Sequence, residues 1–189
     1  MEISLWDERY RSGAHAASDF TTEPSPLLVD IASKLPPGNA LDLASGAGRN
    51  ALWLAERGWK VTAVDGSAAA IEILLERAAA RHLALNARVA DLERQEFAIE
   101  PSAWNLVAMC YYLQRDLFEP AKNGVAPGGI LIAIVHITEP GEEPTGHRLR
   151  PGELAGYLRD WEVLHCAEGA PHDPVHKRAC AEIVARRPR

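Results

Sequence analysis

The chain has few of the features that mark secreted or membrane-spanning proteins. Its three cysteines are odd in number and widely spaced, with no Cys-x-x-Cys pair, so we expect reduced thiols rather than a disulfide framework or a zinc site. No apolar run approaches the roughly 20 residues that cross a bilayer. The first residues, MEISLWDERYRSG, carry acids where a signal peptide carries bases. We therefore expect a cytoplasmic protein with no membrane partner.

An excess of positive charge is also absent. The formal net charge is -6 at pH 7 and the isoelectric point is near 5.6, which disfavours attraction of the whole protein to nucleic acid or to anionic membranes. Aromatic residues are only 6% of the chain, and no basic stripe with interleaved aromatics occurs. We expect no nucleic-acid partner, and a small-molecule ligand instead.

What the chain does have is a regular alternation of apolar runs with helix-like segments between about residues 39 and 135, which is typical of a parallel sheet with crossover helices. Strands are predicted at 40–44, 59–64, 86–90, 104–110 and 130–135, and helices at 49–57, after Ser67 and at 116–122. Pro127-Gly128-Gly129 predicts a tight turn before the fifth strand. Two later strands, 161–166 and 180–185, have no helix pattern between them and should pair as an antiparallel hairpin.

The stretch LDLASGAGRN, residues 41–50, is the most informative loop in the chain. Its Gly46-x-Gly48-x-x-Ala51 spacing fits both a dinucleotide-binding turn and the first turn of a methyl-donor site. Asp65 follows 19 residues after Gly46 at the end of the next strand, where a carboxylate can accept hydrogen bonds from both hydroxyls of a ribose. Both kinds of site share that feature. The glycines alone are also compatible with a simple chain reversal.

Three further features favour the methyl-donor interpretation. Asp42 lies inside the first strand, where a dehydrogenase is normally apolar. Ala90-Asp91-Leu92 supplies a second polar strand end that can face an adenine amino group. The terminal hairpin follows the parallel strands and leaves no room for a separate hydride-transfer domain. An NAD(P)-binding protein and a non-enzymatic cofactor-binding module remain as alternatives.

The ordered motifs LDLASGAGRN, VTAVDGS, ADL, WNLVAMCYYL, APGGILI and AEIVARR resemble the class I S-adenosylmethionine-dependent methyltransferases over nearly the whole chain. WDERY, GAGRNALWLAERG and RPGELAGYLRDWEVL resemble, more narrowly, the tellurite-resistance-like branch of small methyltransferases. The resemblance implies a Rossmann-like, doubly wound α/β fold whose seven-stranded, mostly parallel sheet ends in an antiparallel hairpin, with strand order 3-2-1-4-5-7-6. It implies one domain, residues 1–189, with an N-terminal lid (1–37), a cofactor-binding core (38–136) and a substrate loop, helix and hairpin (137–189).

The resemblance also implies a role for each matching position. S-adenosylmethionine would be the cofactor and S-adenosylhomocysteine its product. The residues implied to surround its methionine part are Asp42, Ala44, Ser45, Gly46, Gly48 and Asn50. Those implied to contact the ribose and adenine are Asp65, Gly66, Asp91 and Leu92. Cys110 and Tyr111 would border the cofactor near the substrate, and Trp6 and Tyr10 would belong to a lid. The family's first loop reads D-x-G-C-G, so Ala44 adds a methyl group where the backbone passes closest to the cofactor.

On the acceptor side, His136 ends the fifth strand and is the candidate for contacting substrate, together with Tyr111. Arg148 lies with Arg150 in the loop expected to cover the acceptor, where positive charge suits a small oxyanion. We expect a small-molecule acceptor of the chalcogen oxyanion or thiol type. His172 and His176 lie near Cys166 and Cys180, but Pro171 and Pro174 prevent the helix that would put them on one face, so no metal site is predicted.

Overall fold

The structure is a computed structural model that describes residues 3–12, 21–143 and 145–189. Part of the predicted N-terminal lid segment, residues 1, 2 and 13–20, therefore lies outside the described residues. The strands form one sheet of seven in the order β3-β2-β1-β4-β5-β7-β6. This confirms the predicted α/β fold and strand order. By contact density the chain divides into two compact units, residues 1–98 and 99–189.

The first unit contains these elements: α1 (Ile3–Ser12), α2 (Pro26–Ala32), β1 (Asn39–Leu43), α3 (Arg49–Glu56), β2 (Lys60–Asp65), α4 (Ala68–Ala80) and β3 (Asn86–Val89). β1 pairs with β2 and β2 with β3, both in parallel. Ser67 caps α4 as its sequence position predicts, because its side-chain oxygen accepts a hydrogen bond from Ala70 N at 3.1 Å. The unit is therefore the expected βαβ arrangement, with a polar turn at the end of each strand.

The second unit contains β4 (Trp104–Cys110), a 3-10 helix (Arg115–Leu117), α5 (Phe118–Gly124), β5 (Val125–His136), α6 (Glu153–Gly156), β6 (Glu162–Gly169) and β7 (Cys180–Arg186). β4 pairs with β5 in parallel, whereas β7 pairs with both β5 and β6 in antiparallel fashion. The predicted terminal hairpin is thus present. Residues 130–135 are all buried, as expected for an apolar run without polar alternation.

The predicted tight turn at Pro127-Gly128-Gly129 is wrong, because these residues lie inside β5. The pairing of β5 with β4 shifts register there: Trp104 pairs with Val125, but Leu106 pairs with Ile130. Gly128 has a φ of +77°, which a residue without Cβ adopts readily. The motif therefore forms a bulge that bends one strand rather than a turn that begins it.

Helix α2 was not predicted, because it is short and lacks a full amphipathic period. The helix predicted at 116–122 is present as the 3-10 helix Arg115–Leu117 followed by α5. No helix among the described residues is both long and apolar enough to span a membrane.

Candidate active site

Asp65, at the end of β2, organises the glycine loop. One carboxylate oxygen accepts a hydrogen bond from Gly46 N at 2.8 Å, and the other accepts from Ser67 N, also at 2.8 Å. Burial raises the pKa of Asp65, and these two N–H groups oppose that shift because they stabilise the charged form. A carboxylate has about four acceptor positions. Two acceptor positions therefore remain, and the two adjacent hydroxyls of a ribose require that number.

The loop after β1 turns through left-handed backbone at three positions. Ala44, Gly46 and Gly48 have φ values of +53°, +52° and +79°. Glycine adopts this region without strain, but for alanine it costs about 1 to 2 kcal/mol. Ala44, which by the family resemblance replaces a glycine, therefore holds a strained conformation here.

Asp42 is the most deeply buried acid of the loop, with 2% of its surface exposed. Burial raises its pKa to about 7, and the Arg49 charge opposes this shift. Neither Asp42 Oδ2 nor Ser45 Oγ has a hydrogen-bond partner among the described residues, although both atoms are buried. Buried polar atoms without partners are costly. This corner of the loop therefore suits a ligand that carries a cationic or hydrogen-bonding group, such as the methionine part of the cofactor.

Helix α1 covers part of this loop with one face. Its half-buried residues, Ile3, Trp6, Asp7 and Tyr10, follow the helical period, and the other residues of the helix are exposed. A Cβ at Gly46 would lie 2.6 Å from Tyr10 Oη, and one at Gly66 would lie 2.6 Å from Ile3 Cδ1. The two glycines thus allow the helix to approach the loop closely. Tyr10 lies where a lid residue was predicted, and Trp6 is one turn away, with its ring centroid 6.4 Å from that of Tyr10.

Asp7, which the sequence analysis did not single out, attaches α1 to the rest of the unit. Its Oδ1 accepts hydrogen bonds from Ser67 Oγ and Ala69 N, each at 2.9 Å. The pKa of Asp7 is lowered, chiefly by the Ala69 N–H. Asp7 therefore acts as a second cap for α4, supplied from 60 residues away. In the sequence, only the motif WDERY, which resembles the family motif, indicated that this segment belongs to the site.

Replacing Asp7 with alanine should detach α1. We expect a loss of about 1 kcal/mol in the free energy of unfolding, the usual effect of removing a cap, and faster hydrogen exchange in residues 3–12. Because the pKa is lowered, this stabilisation is present above about pH 4 and disappears as the pH falls through the lowered value. Glu8→Ala, on the exposed side of α1, is the matched control. Equal exchange rates in wild type and Asp7→Ala would contradict the attachment.

Several predicted cofactor residues have structural partners within this unit. Asn50 Oδ1 accepts from Ser25 N at 2.9 Å. A Cβ at Gly48 would lie 2.1 Å from Leu74 Cδ1, so this glycine is needed for close packing of α4. Asp91 Oδ1 accepts from Glu93 N and Arg94 N in its own turn. Leu92 is buried. Their roles toward a cofactor stay predictions.

In the second unit, three rings meet near the ends of β4 and β5. Tyr111 stacks on His176 with ring centroids 3.4 Å apart and planes 12° apart. His136 lies 5.5 Å from each of them, between centroids. Tyr111 has a φ of +63°, an uncommon conformation for a bulky residue that often marks a functional site. The predicted acceptor residues Tyr111 and His136 are thus together, and His176 joins them from the loop between β6 and β7.

Burial lowers the pKa of His136, and the charges of Arg178 and Arg148 lower it further, whereas a hydrogen bond with the Ala179 backbone opposes this shift. Its Nδ1 lies 3.2 Å from Cys180 Sγ, a thiol whose pKa is raised to about 12, mainly by burial. The thiol is therefore a hydrogen-bonding partner rather than a nucleophile. Cys110, predicted to border the cofactor, is half-buried at the end of β4.

Arg148 is paired rather than isolated. Its Nη1 lies 2.6 Å from Glu142 Oε2, and Arg178 pairs with the other oxygen of the same carboxylate. These arginines hold the pKa of Glu142 down to about 2. Glu139 also lies close enough to act on Arg178 and His136, so these two arginines and two glutamates together carry no net charge. The sequence analysis did not identify Arg178, because only the fold brings it close to Glu142. Arg150, which was predicted to lie with Arg148, is exposed.

Comparison with known proteins identifies relatives of the chain. The family described as "Tellurite resistance protein TehB" matches residues 15–178. "Hemagglutinin 1" of Eikenella corrodens is 29% identical over 161 residues, which cover 82% of this chain and 53% of that protein. "Probable S-adenosyl-L-methionine-dependent methyltransferase TehB" of Haemophilus influenzae is 26% identical over 148 residues, 75% of this chain and 52% of that protein.

The solved structures include a similar fold. The crystal structure of TehB from Haemophilus influenzae has a TM-score of 0.76 and 25% sequence identity, and the match covers 96% of this chain and 67% of that chain. The chain spans about half the length of the curated relatives it matches.

Proposed function

We propose that this chain, which belongs to the tellurite resistance protein TehB family, is an S-adenosylmethionine-dependent methyltransferase that acts on a small acceptor. The observation that carries the proposal is the corner of the glycine loop, where Asp42 Oδ2 and Ser45 Oγ are buried without partners among the described residues. A relative that covers the same region is named as a probable S-adenosyl-L-methionine-dependent methyltransferase. The buried acid and hydroxyl suit the amino-acid end of that cofactor.

The residues of the first unit would bind and orient the cofactor. Asp42 would accept from its ammonium group, and Asp65 would accept from its ribose hydroxyls with the two carboxylate positions left open by the loop amides. Tyr10 and Trp6 would exclude water. When bound, S-adenosylmethionine supplies a methyl group that its sulfonium makes electrophilic. Positioning of an acceptor in line with that methyl can contribute about 7 to 11 kcal/mol.

For the acceptor we propose a small chalcogen oxyanion, with a thiol as the second candidate. Two features of the second unit support this proposal. Arg148 and Arg178 place guanidinium groups near His136, and guanidinium groups suit oxyanions. The stacked Tyr111 and His176 rings form a flat wall that suits a large, polarisable atom.

The proposed activity is tested with the purified chain and S-adenosylmethionine in the presence of tellurite, selenite or a panel of small thiols. We expect S-adenosylhomocysteine to form at a rate that depends on the acceptor, with tellurite or selenite preferred over thiols. Preference for thiols would overturn the oxyanion assignment. Binding of S-adenosylhomocysteine without turnover of any acceptor would point to a non-enzymatic binding module.

His176→Asn tests the acceptor side separately. Losing the stack on Tyr111 should cost about 1 kcal/mol of stability, and a displaced Tyr111 ring should raise the KM for the acceptor. The affinity for S-adenosylhomocysteine should not change. His82→Asn is the matched control, because His82 is exposed with a φ of +55° that asparagine tolerates. An unchanged acceptor KM in His176→Asn would remove His176 from the acceptor side.

A further inference from the structure

The terminal hairpin gathers two histidines and a glutamate that the proposed reaction does not use. His165 lies on β6, Glu182 on β7, and His172 in the loop that joins the two strands. Glu182 pairs with Ala167, two residues from His165, so the side chains of His165 and Glu182 are diagonal neighbours on one face of the hairpin. The carboxylate oxygen Glu182 Oε2 lies 3.5 Å from His165 Nε2 and also contacts His172 Nδ1. One carboxylate oxygen therefore faces two imidazole nitrogens.

The environment of the Glu182 carboxylate favours a bound cation. Its side chain is only 3% exposed, and the other oxygen, Oε1, accepts from His172 N at 3.2 Å. A buried carboxylate is unfavourable unless it is paired with a positive charge or binds a metal. Two imidazole rings, those of His165 and His172, contact this carboxylate. A metal ion bound between the rings and the carboxylate would supply the positive charge.

We propose that His165, His172 and Glu182 form a binding site for one divalent transition-metal ion of the zinc type. One donor atom from each residue lies within 4.8 Å of the other two. Tetrahedral zinc, with ligands at about 2.0 to 2.1 Å, places its ligand atoms about 3.3 to 3.4 Å apart. The separation of His165 Nε2 and Glu182 Oε2 already has that value within about 0.2 Å. Only a small movement of the exposed His172 ring would complete the set.

The type of donor decides the type of metal. Two imidazoles and one carboxylate suit zinc and neighbouring transition metals, whereas magnesium and calcium prefer oxygen ligands. Three protein ligands leave a fourth position for water or another molecule. The site would also fix the loop that carries His176 and Arg178, since His172 lies in that same loop. The sequence-based reason against a metal, the lack of a helix around residues 172–176, does not apply to ligands that two paired strands bring together.

The test measures binding of zinc to the metal-free chain by calorimetry and by competition with a chromogenic chelator. We expect one zinc ion per chain. Cobalt should bind in its place and show the visible absorption of a tetrahedral ion, and magnesium should not compete. Absence of stoichiometric zinc binding would overturn the proposal.

Two variants locate the ion. Glu182→Gln keeps the shape of the side chain and an acceptor for His172 N but removes the charge. Loss of a residue that only orients a metal ligand typically lowers affinity by roughly 10- to 100-fold. Loss of a ligand should therefore lower zinc affinity by more than that. His172→Ala changes an exposed side chain, 58% accessible, and keeps the test valid if Glu182→Gln misfolds. Glu162→Gln, also on β6 and 60% exposed, is the matched control. Wild-type zinc affinity in His172→Ala would overturn the assignment. Protection from hydrogen exchange that appears on zinc addition only outside residues 165–182 would overturn it as well.

Discussion

Replacement of Asp65 by asparagine is expected to weaken the binding of S-adenosylhomocysteine by about 30- to 100-fold. Hydrogen bonds to a charged group contribute about 1.5 to 3 kcal/mol, and each 1.4 kcal/mol is a factor of ten in affinity. The variant removes the charge and replaces one acceptor oxygen by an N–H2 group. That group would face either Gly46 N or Ser67 N, which now both donate to the carboxylate. The loop itself should therefore loosen, and the cofactor should lose its ribose partner.

Calorimetry with S-adenosylhomocysteine measures this effect, and circular dichroism verifies that the variant is folded. The matched control is Asp30→Asn, since Asp30 is exposed on α2 and pairs with Lys34, just beyond the end of that helix. Wild-type affinity in Asp65→Asn would remove the ribose role from this residue. A parallel titration with NADH should show no saturable binding, and saturable binding would instead favour the dinucleotide interpretation of the same loop.

The sequence was sufficient to predict the features that depend on local patterns. Asp42, Ser67 and the terminal hairpin each lie where period, capping chemistry or spacing placed them. The strand order, which the family resemblance implied, is also confirmed. The family match confirms the resemblance to the tellurite-resistance branch, and so favours the methyl-donor interpretation of the glycine loop. Local rules suffice here because a strand end and the following turn are encoded by adjacent residues.

Features that depend on distant pairing could not be predicted from the same rules. Asp7 caps a helix 60 residues away, and Glu182 meets His165 only through the register of the hairpin. The Pro127-Gly128-Gly129 bulge looked like a turn because glycine and proline mark both. Such contacts leave no periodic signal, since the two partners are chosen by the packing of separate elements.

Asp42 provides the other large expected effect, because its charge is unfavourable in the free protein. Burial raises its pKa to about 7, compared with about 3.9 in an unfolded chain. A raised pKa means that the folded state holds the proton more tightly. The contribution of this group to stability is therefore fully present below about pH 4 and is lost as the pH rises through about 7. At pH 8 the folded protein retains a buried charge that its neighbours compensate only in part.

Asp42→Asn should accordingly make the free protein more stable at pH 8 but less stable at pH 4, where the wild-type carboxyl is already protonated and only the cost of the buried amide remains. Removing the buried charge gains about 2 to 4 kcal/mol by linkage, and burying an unpaired amide group costs about 1 to 3 kcal/mol. We expect a net gain of about 1 kcal/mol. Urea unfolding of wild type and variant at the two pH values measures it. A variant less stable than wild type at pH 8 would show that the carboxylate is already well compensated.

The same substitution should damage cofactor binding. An ionised Asp42 can pair with the ammonium group of the methionine part, but asparagine cannot, so affinity for S-adenosylhomocysteine should fall by about 100-fold at pH 8, as for the loss of a charge-assisted bond of about 3 kcal/mol. Wild-type affinity should rise between pH 6 and pH 8 as Asp42 loses its proton, whereas that of Asp42→Asn should stay flat. Asp30→Asn again serves as the control, with wild-type affinity and pH dependence. Together, a gain in stability and a loss of binding would identify Asp42 as a residue kept for its ligand at the expense of the fold.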